Sequence, residues 1–534
     1  MSTSPVAPHH RVSALTGRTS FFNPWASAYL PSFADLFRGP WLSRPMHELE
    51  GIVEDVKVVE PDWGRRELRR RARERKRGAL ALDNDNGDDH VGNDDDDVIC
   101  GTWVGHAGAF VEIPLGPAPT SASTSSSSSS SCRPTLKLLF DPMFSSRASP
   151  VTWFGPKRMR EAPCPVEDLP GVDMVLISHN HYDHLDLATI LAVHAKWPRA
   201  LYCVGLGNAP WFVARGIPAH QVREMDWWEE VVFPTSLFLA KSTTRRRRLP
   251  HAEEADEEVW VTCVPAQHTS ADSTSTGRSL IDQRKTLWCG WVVERLVRVT
   301  AATSPASSSP LAQSSSRTTL RTSSLPSSSS AAALEPTLDP FDDSYGVDYG
   351  ARARRALGEG DLEVRAAFEH PPANWIRRGS VYHAGDTGCR PFAGSPLTSP
   401  VFPALGAEYG PFDLSFIPIW RGGTLGFISA LGLRLCQENL PTATHASPTD
   451  AVQIHLDVRS RNTVGIHFGT FQGSHLEALE ALHELEGACD EAGVRDLGDE
   501  KEGKQGRMGR VDIGETLVVS GASRLSPTSC SCVH

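Results

Sequence analysis

A chain of 534 residues with a net charge of −11 is long enough for one large domain or a few ordinary ones. Its hydrophobic share of 40% and charged share of 22% are those of a globular protein. The acidic balance argues against a nucleic-acid binder, and the lack of a run of about 18 apolar residues argues against a transmembrane helix. The 11 cysteines are scattered and form no CxxC pair, which fits reduced thiols in an intracellular protein better than a disulfide framework.

In chain order, the first 34 residues carry arginines and serines but no acidic residue, as mitochondrial transit peptides do. Within the N-terminal segment 1–63, Trp25, Tyr29, Phe33, Leu36 and Phe37 suit either contact with a bilayer surface or packing onto a folded body. Residues 64–97 are strongly basic and then strongly acidic (GRRELRRRARERKRG, later DNDNGDDHVGNDDDD), which predicts a disordered linker. Its basic half could alternatively meet anionic lipid headgroups. A folded domain is expected over 98–520, interrupted by disordered insertions near 115–134, 241–258 and 300–345, with a flexible tail at 521–534.

Between these tracts, short apolar strands alternate with polar loops. Strands are predicted within Ile99–Ile113 and Leu136–Phe140, over Val172–Ser178 and Val259–Val264, at Thr286–Val293, Phe412–Ile419 and Val464–Ile466. A helix is predicted over Leu187–Lys196, with Asp186 as N-cap and Leu187, Ile190, Leu191 and His194 on one face. Another begins at Ser447-Pro448 with Asp450 three residues after the cap, and a third at Ser474 with Glu477. No internal repeat is visible.

The segment Ser178-His179-Asn180-His181-Tyr182-Asp183-His184 follows a buried strand and precedes a capped helix. Three imidazoles and a carboxylate so close together would need partners if buried and would have no reason to cluster if exposed. Such nitrogen and oxygen donors suit Zn, Mn or Fe. One loop does not complete a binuclear site, and His268, Asp386 and His467 each sit just after a predicted strand, where they could converge on it.

The motif HNHYDH, followed in order by a His, an Asp and a His, resembles the metallo-β-lactamase superfamily. The resemblance implies an α/β fold, a four-layered αββα sandwich. It places His179, His181 and His268 on a first metal, Asp183, His184 and His467 on a second, and Asp386 between them. The match narrows through FDPMFSSRASPVTWFGPKRMREAPC, TWVGHA, VPAQH, AGDTG, YGPFDLSFIPI and IHFGTF. These resemble the N-acylphosphatidylethanolamine-hydrolysing phospholipase D family. That family implies two divalent ions, zinc by preference, sharing a water that attacks phosphorus. The products would be N-acylethanolamine and phosphatidic acid. Asp183 or Asp386 would handle the proton. Tyr182 and His445 would contact substrate, or else serve as packing and loop residues.

The resemblance also implies a membrane phospholipid partner, peripheral membrane contact and a homodimer, with no nucleic acid. The stretch from Trp420 to Thr444 looks longer than in the family's animal members. The HxKxxxxD motif of other phospholipases D is absent, since Leu201 stands where its Asp would follow His194 and Lys196. A soluble lactonase or other phosphodiesterase of the same fold is the alternative reading.

Overall fold

The computed structural model describes residues 8–29, 42–45, 53–82, 97–116, 133–239, 256–270, 284–298, 371, 374–421, 433–435, 441–471, 476–499 and 503–521. The chain opens with a hairpin of β1 (His10–Val12) and β2 (Thr19–Phe21). Strand β3 (Leu42–Pro45) pairs with a later short strand. Helix α1 (Arg65–Leu82) follows.

That helix corrects the expectation of a disordered linker from 64 onward. The Asp62 carboxylate accepts the N–H groups of Gly64 and Arg66 at its start. Glu67 pairs with Arg70 and Arg71 one turn on, and Arg70 with Glu74. The acidic half, 83–96, lies outside the described residues.

The first sheet contains β4 (Val98–Gly105), β5 (Gly108–Pro114), β6 (Thr135–Phe140), β7 (Met174–Ile177), β8 (Leu201–Gly205) and β9 (Val222–Met225), and is completed by the last strand, β18 (Thr516–Ser520), in the order β18-β4-β5-β6-β7-β8-β9. Arg71 of α1 donates to Val518 O and Ser520 Oγ on β18 and so docks the basic helix there. The second sheet contains β10 (Glu230–Pro234), β11 (Glu257–Val264), β12 (Gly290–Arg298), β13 (Trp375–His383), β14 (Leu414–Pro418), β16 (Asn462–Ile466) and β17 (Arg507–Gly509) in that order. Strand β15 (Leu433–Leu435) is the partner of β3.

Each sheet has an antiparallel half and a parallel half. The two thus share a layout that the sequence, read for repeats, did not display.

Strand periodicity builds the layers. In β7, Met174 and Leu176 face the second sheet, while Val175 and Ile177 face outward. The inner core joins Ile99, Trp103, Leu138 and Phe140 to Val261, Trp291, Val381 and Phe416. Outside the first sheet lie α2 (Leu187–Lys196) and α3 (Ala209–Val213), which bury Ile190, Val193 and Phe212. A short α4 (Ser236–Leu239) follows β10. Helices α5 (Val401–Glu408), α6 (Pro448–Asp457) and α7 (Leu476–Ala492) contribute Phe402, Leu405, Ile454 and Leu482 to the core on the side of the second sheet.

The α2 face differs from expectation. Leu187 and Leu191 are exposed, and the buried side is Thr189, Ile190 and Val193. Asp186 is the N-cap, and its carboxylate also accepts Ser145 N–H and the Ser145 and Thr189 hydroxyls, which rotates Thr189 inward. Ser447 and Asp450 form the expected capping box. Ser474 lies outside the described residues.

At the N-terminus, Phe21 and Trp25 are buried in the main core rather than presented to a bilayer. Tyr29 is exposed, and Phe33, Leu36 and Phe37 lie outside the described residues. No helix among the described residues is long and apolar enough to cross a membrane.

The low-complexity tracts leave from one end of the sandwich. Pro114 is paired with Thr135, Pro234 with Glu258, and Arg298 with Trp375, each pair flanking a break in the described chain. The other strand ends carry the histidines.

Helices α5 and α6 touch through glycine. A Cβ on Gly406 would lie 1.9 Å from the Asp457 carbonyl oxygen. Gly406→Ala is expected to destabilise the fold by about 1–3 kcal/mol or more, because backbone must move to admit the methyl. Thermal denaturation checks this, and an unchanged midpoint would mean that the two helices separate freely.

Candidate metal centre

Strand β6 ends at Phe140, and Asp141 follows with φ of +38°. Strand β7 ends at Ile177, and Ser178 begins the histidine loop. The Asp141 carboxylate accepts Ser178 N–H at 2.7 Å, Ser178 Oγ–H at 2.6 Å and His184 Nδ1 at 2.9 Å. Since the Ser178 hydroxyl donates to Asp141, its oxygen accepts His179 Nδ1–H at 2.9 Å. Gly385 makes room beside it: at φ of +60°, a Cβ there would lie 2.6 Å from Ser178 Cβ.

This network sets the tautomers. With Nδ1 donating, the neutral His179 turns a bare Nε2 lone pair into the site, and His184 turns its Nε2 the same way. His268, after β11, donates Nδ1–H to Thr444 O at 2.8 Å and turns its Nε2 toward His181 Nδ1, 3.4 Å away. Outer partners of this kind orient metal-ligating imidazoles and raise their basicity.

Asp386 follows β13 and sits among the rings. Its Oδ2 is 3.2 Å from His184 Nε2 and 3.9 Å from both His179 Nε2 and His268 Nε2, while Oδ1 is 3.1 Å from His467 Nε2. His179, His181 and His268 form one donor group; Asp183, His184 and His467 lie together in a second. All seven sequence-predicted residues are therefore brought together, at 7% exposure or less. His445 donates from Nε2 to Asp386 Oδ2 at 3.2 Å and stacks on Trp420. Tyr182 stays half-buried in the histidine loop.

The structure adds His106, Asp141 and Ser178. His106 Nε2 donates to Asp183 Oδ2 at 2.9 Å, its N–H is held by Thr470 Oγ1, and its carbonyl accepts His467 N–H. The rule that singled out His268, Asp386 and His467, a polar side chain just past a strand end, also covers His106 after β4 and Asp141 after β6. His106, Asp141 and His467 all adopt positive φ, a conformation that costs energy in non-glycine residues and gathers at functional sites.

Burial pushes His181 down to about 4, His268 to about 3 and His106 to about 4, and it also holds His179 well below its ordinary value. These imidazoles are neutral, the form that coordinates metal. His184 goes the other way. Burial opposes its charge, but Asp386, Asp183 and Asp141 outweigh that and hold it well above the ordinary range. Asp183 and Asp386 are held low by their cationic surroundings despite burial.

His179 Nε2, His181 Nε2, Asp183 Oδ1, His184 Nε2, Asp386 Oδ1 and His467 Nε2 are buried without a hydrogen-bond partner. Orphaned buried atoms are costly. A converging set of unpartnered nitrogens around two anionic carboxylates is what divalent cations satisfy, so the residues fit metal.

Two mixed sheets flanked by helices, with this His/Asp cluster at one end, define a metallo-β-lactamase-type hydrolase. A family described as beta-lactamase superfamily domain matches residues 137–304. The chain is similar to N-acyl-phosphatidylethanolamine-hydrolyzing phospholipase D 1 of Caenorhabditis elegans, with 26% identity over 391 residues, covering 72% of this chain and 68% of that one. It is also similar to the mitochondrial N-acyl-phosphatidylethanolamine-hydrolyzing phospholipase D of Saccharomyces cerevisiae, with 29% identity over 165 residues, 30% of this chain and 28% of that one. A metallo hydrolase from Ignicoccus hospitalis aligns with a TM-score of 0.34 at 12% identity, over 79% of this chain and 98% of that one. The resemblance read from the motifs is thus borne out.

Proposed function

We propose that this chain is a phospholipase D-type phosphodiesterase that hydrolyses N-acylphosphatidylethanolamine to N-acylethanolamine and phosphatidic acid. The observation that carries the reading is Asp386 standing between two groups of inward-turned imidazoles. His179, His181 and His268 would hold one divalent ion, Asp183, His184 and His467 another, with Asp386 shared and zinc the fitting metal for such donors. Ions bound there supply Lewis acidity, lowering the pKa of a water toward about 7 and drawing charge from phosphoryl oxygens.

The protein groups do the rest. His106 fixes Asp183 through Oδ2 and leaves Oδ1 facing the site, while His445 fixes Asp386. Either carboxylate can take the proton of the attacking water. The oxygen of that water bonds to phosphorus, the bond from phosphorus to the ethanolamine oxygen breaks, and the departing alkoxide recovers a proton. Tyr182 and His445, half-buried beside the fully buried donors, would contact the phosphate or the amide.

A lipid substrate also needs an approach surface. Trp153 and Phe154, adjacent in the loop between β6 and β7, are 78% and 69% exposed. Aromatic side chains of this kind settle at the headgroup level of a bilayer, which supports peripheral contact.

Purified metal-loaded protein incubated with N-acylphosphatidylethanolamine in mixed micelles is expected to release N-acylethanolamine and phosphatidic acid, read by mass spectrometry. Chelation should abolish the release and zinc restore it. Metal-loaded protein that yields neither product would overturn the lipid assignment and turn attention to lactones and other phosphodiesters.

A further inference from the structure

A second cluster of metal-type donors lies outside the centre described above. His9 and His10, at the start of the N-terminal hairpin, meet Asp226, the residue immediately after β9. One ligand atom from each lies within 4.8 Å of the others. His9 Nε2 is 2.7 Å from Asp226 Oδ1, and His10 Nε2 is 3.0 Å from Oδ2.

The His10 contact lacks hydrogen-bond geometry, and its Nε2 is counted among the buried atoms without a partner. The same geometry, a short approach without hydrogen-bond alignment, marks His184 and His467 against Asp386. In both places the nitrogen and the carboxylate oxygen lie close enough to share one ion.

The cluster is rigidly supported. The His9 ring stacks on Trp227 at 4.2 Å, and Trp227 in turn stacks on Trp25 and donates its indole N–H to Trp288 O. Asp226 is oriented by its own N–H, which donates to Glu229 Oε2. His10 and Asp226 keep side-chain exposures of 18% and 22%, enough for a water to complete a four-coordinate shell.

We propose that His9, His10 and Asp226 form a third metal site, holding a divalent transition ion such as zinc through both Nε2 atoms and a carboxylate oxygen. The site would clip the N-terminal hairpin to the sandwich. The clipped segment matters to the main centre, because Asn23 donates to His268 O at 2.9 Å and Ser27 donates to Gln267 Oε1 at 2.6 Å. An ion at the third site therefore steadies the loop that presents His268.

The test is zinc titration of the full chelator-stripped chain with metal counted by elemental mass spectrometry. The wild type should bind three equivalents, and His10→Gln and Asp226→Asn should each bind two. Trypsin cleavage at the exposed Arg11 and Arg18 gives a second readout. At a zinc concentration 100 times the dissociation constant, cleavage through local opening should slow about a hundredfold.

That protection should persist in a His179→Ala, His181→Ala background and vanish in the His10 and Asp226 variants. Two equivalents in the wild type, or three with full protection in His10→Gln, would overturn the proposal and leave the cluster a hydrogen-bonded latch.

Discussion

Replacing His179 and His181 together by alanine is expected to remove one bound ion per chain and to abolish hydrolysis within detection. The expected loss exceeds the roughly 10–100-fold that removal of an outer partner costs, because two of the three nitrogens of one donor group disappear. Both residues are almost fully buried, at 1% and 2% exposure, and each presents a nitrogen that no protein group satisfies. Deleting them removes unsatisfied atoms, so the variant should still fold. Metal content and rate, measured on the same preparation, check the claim. A folded variant with unchanged metal and unchanged rate would remove these imidazoles from the centre.

Asp141→Asn should show how much of the centre depends on a residue that does not face it. Asparagine tolerates the positive φ at this position, so the backbone can stay. It has one acceptor oxygen where aspartate has two, and Asp141 accepts from Ser178 N–H, Ser178 Oγ–H and His184 Nδ1–H. Its NH2 group would face one of those donors. His184 would lose the partner that fixes its tautomer, and through Ser178 so would His179. The expected result is a 10–100-fold fall in metal affinity, with a stability cost of about 1–3 kcal/mol for the stranded donors. Calorimetric zinc titration and thermal melts separate the two effects. Wild-type affinity in a folded variant would mean that the imidazoles hold their orientation unaided.

Much of the centre was legible in the sequence because its chemistry is concentrated. Four donors fall within His179–His184, and His268, Asp386 and His467 stand at strand ends, a position that periodicity alone can locate. His106 and Asp141 occupy equivalent positions, after β4 and β6. A lone His or Asp after a strand carries no signal until the fold shows that its strand neighbours the histidine loop.

The buried face of α2 departs from its sequence pattern for a related reason. Leu187 and Leu191 look like the buried stripe, but the Asp186 network with Ser145 turns Thr189 inward instead, and that contact crosses 41 residues of chain. The helix at Arg65–Leu82 was hidden by its own charge. Composition predicts solvation, whereas Asp62, Glu67 and Glu74 are spaced to satisfy its first turns, and β18, far along the chain, gives Arg71 a seat. The shared layout of the two sheets leaves no trace in the sequence, since hydrogen-bond pattern does not require residue identity.

The strand pairs Pro114–Thr135, Pro234–Glu258 and Arg298–Trp375 give the molecule two ends with different tolerances. At the histidine end, the described connections after β4, β6, β7, β11, β13 and β16 carry a donor or its support, and a small shift there would disturb several contacts at once. At the other end, the chain departs and returns between neighbouring strands already held in register, so added length costs only closure entropy, about 0.6 kcal/mol for each doubling. Sequence can therefore accumulate or be lost there without the chemistry registering it. Tags, reporters or wholesale deletions belong at those three exits, where the scaffold leaves the length of chain free to vary.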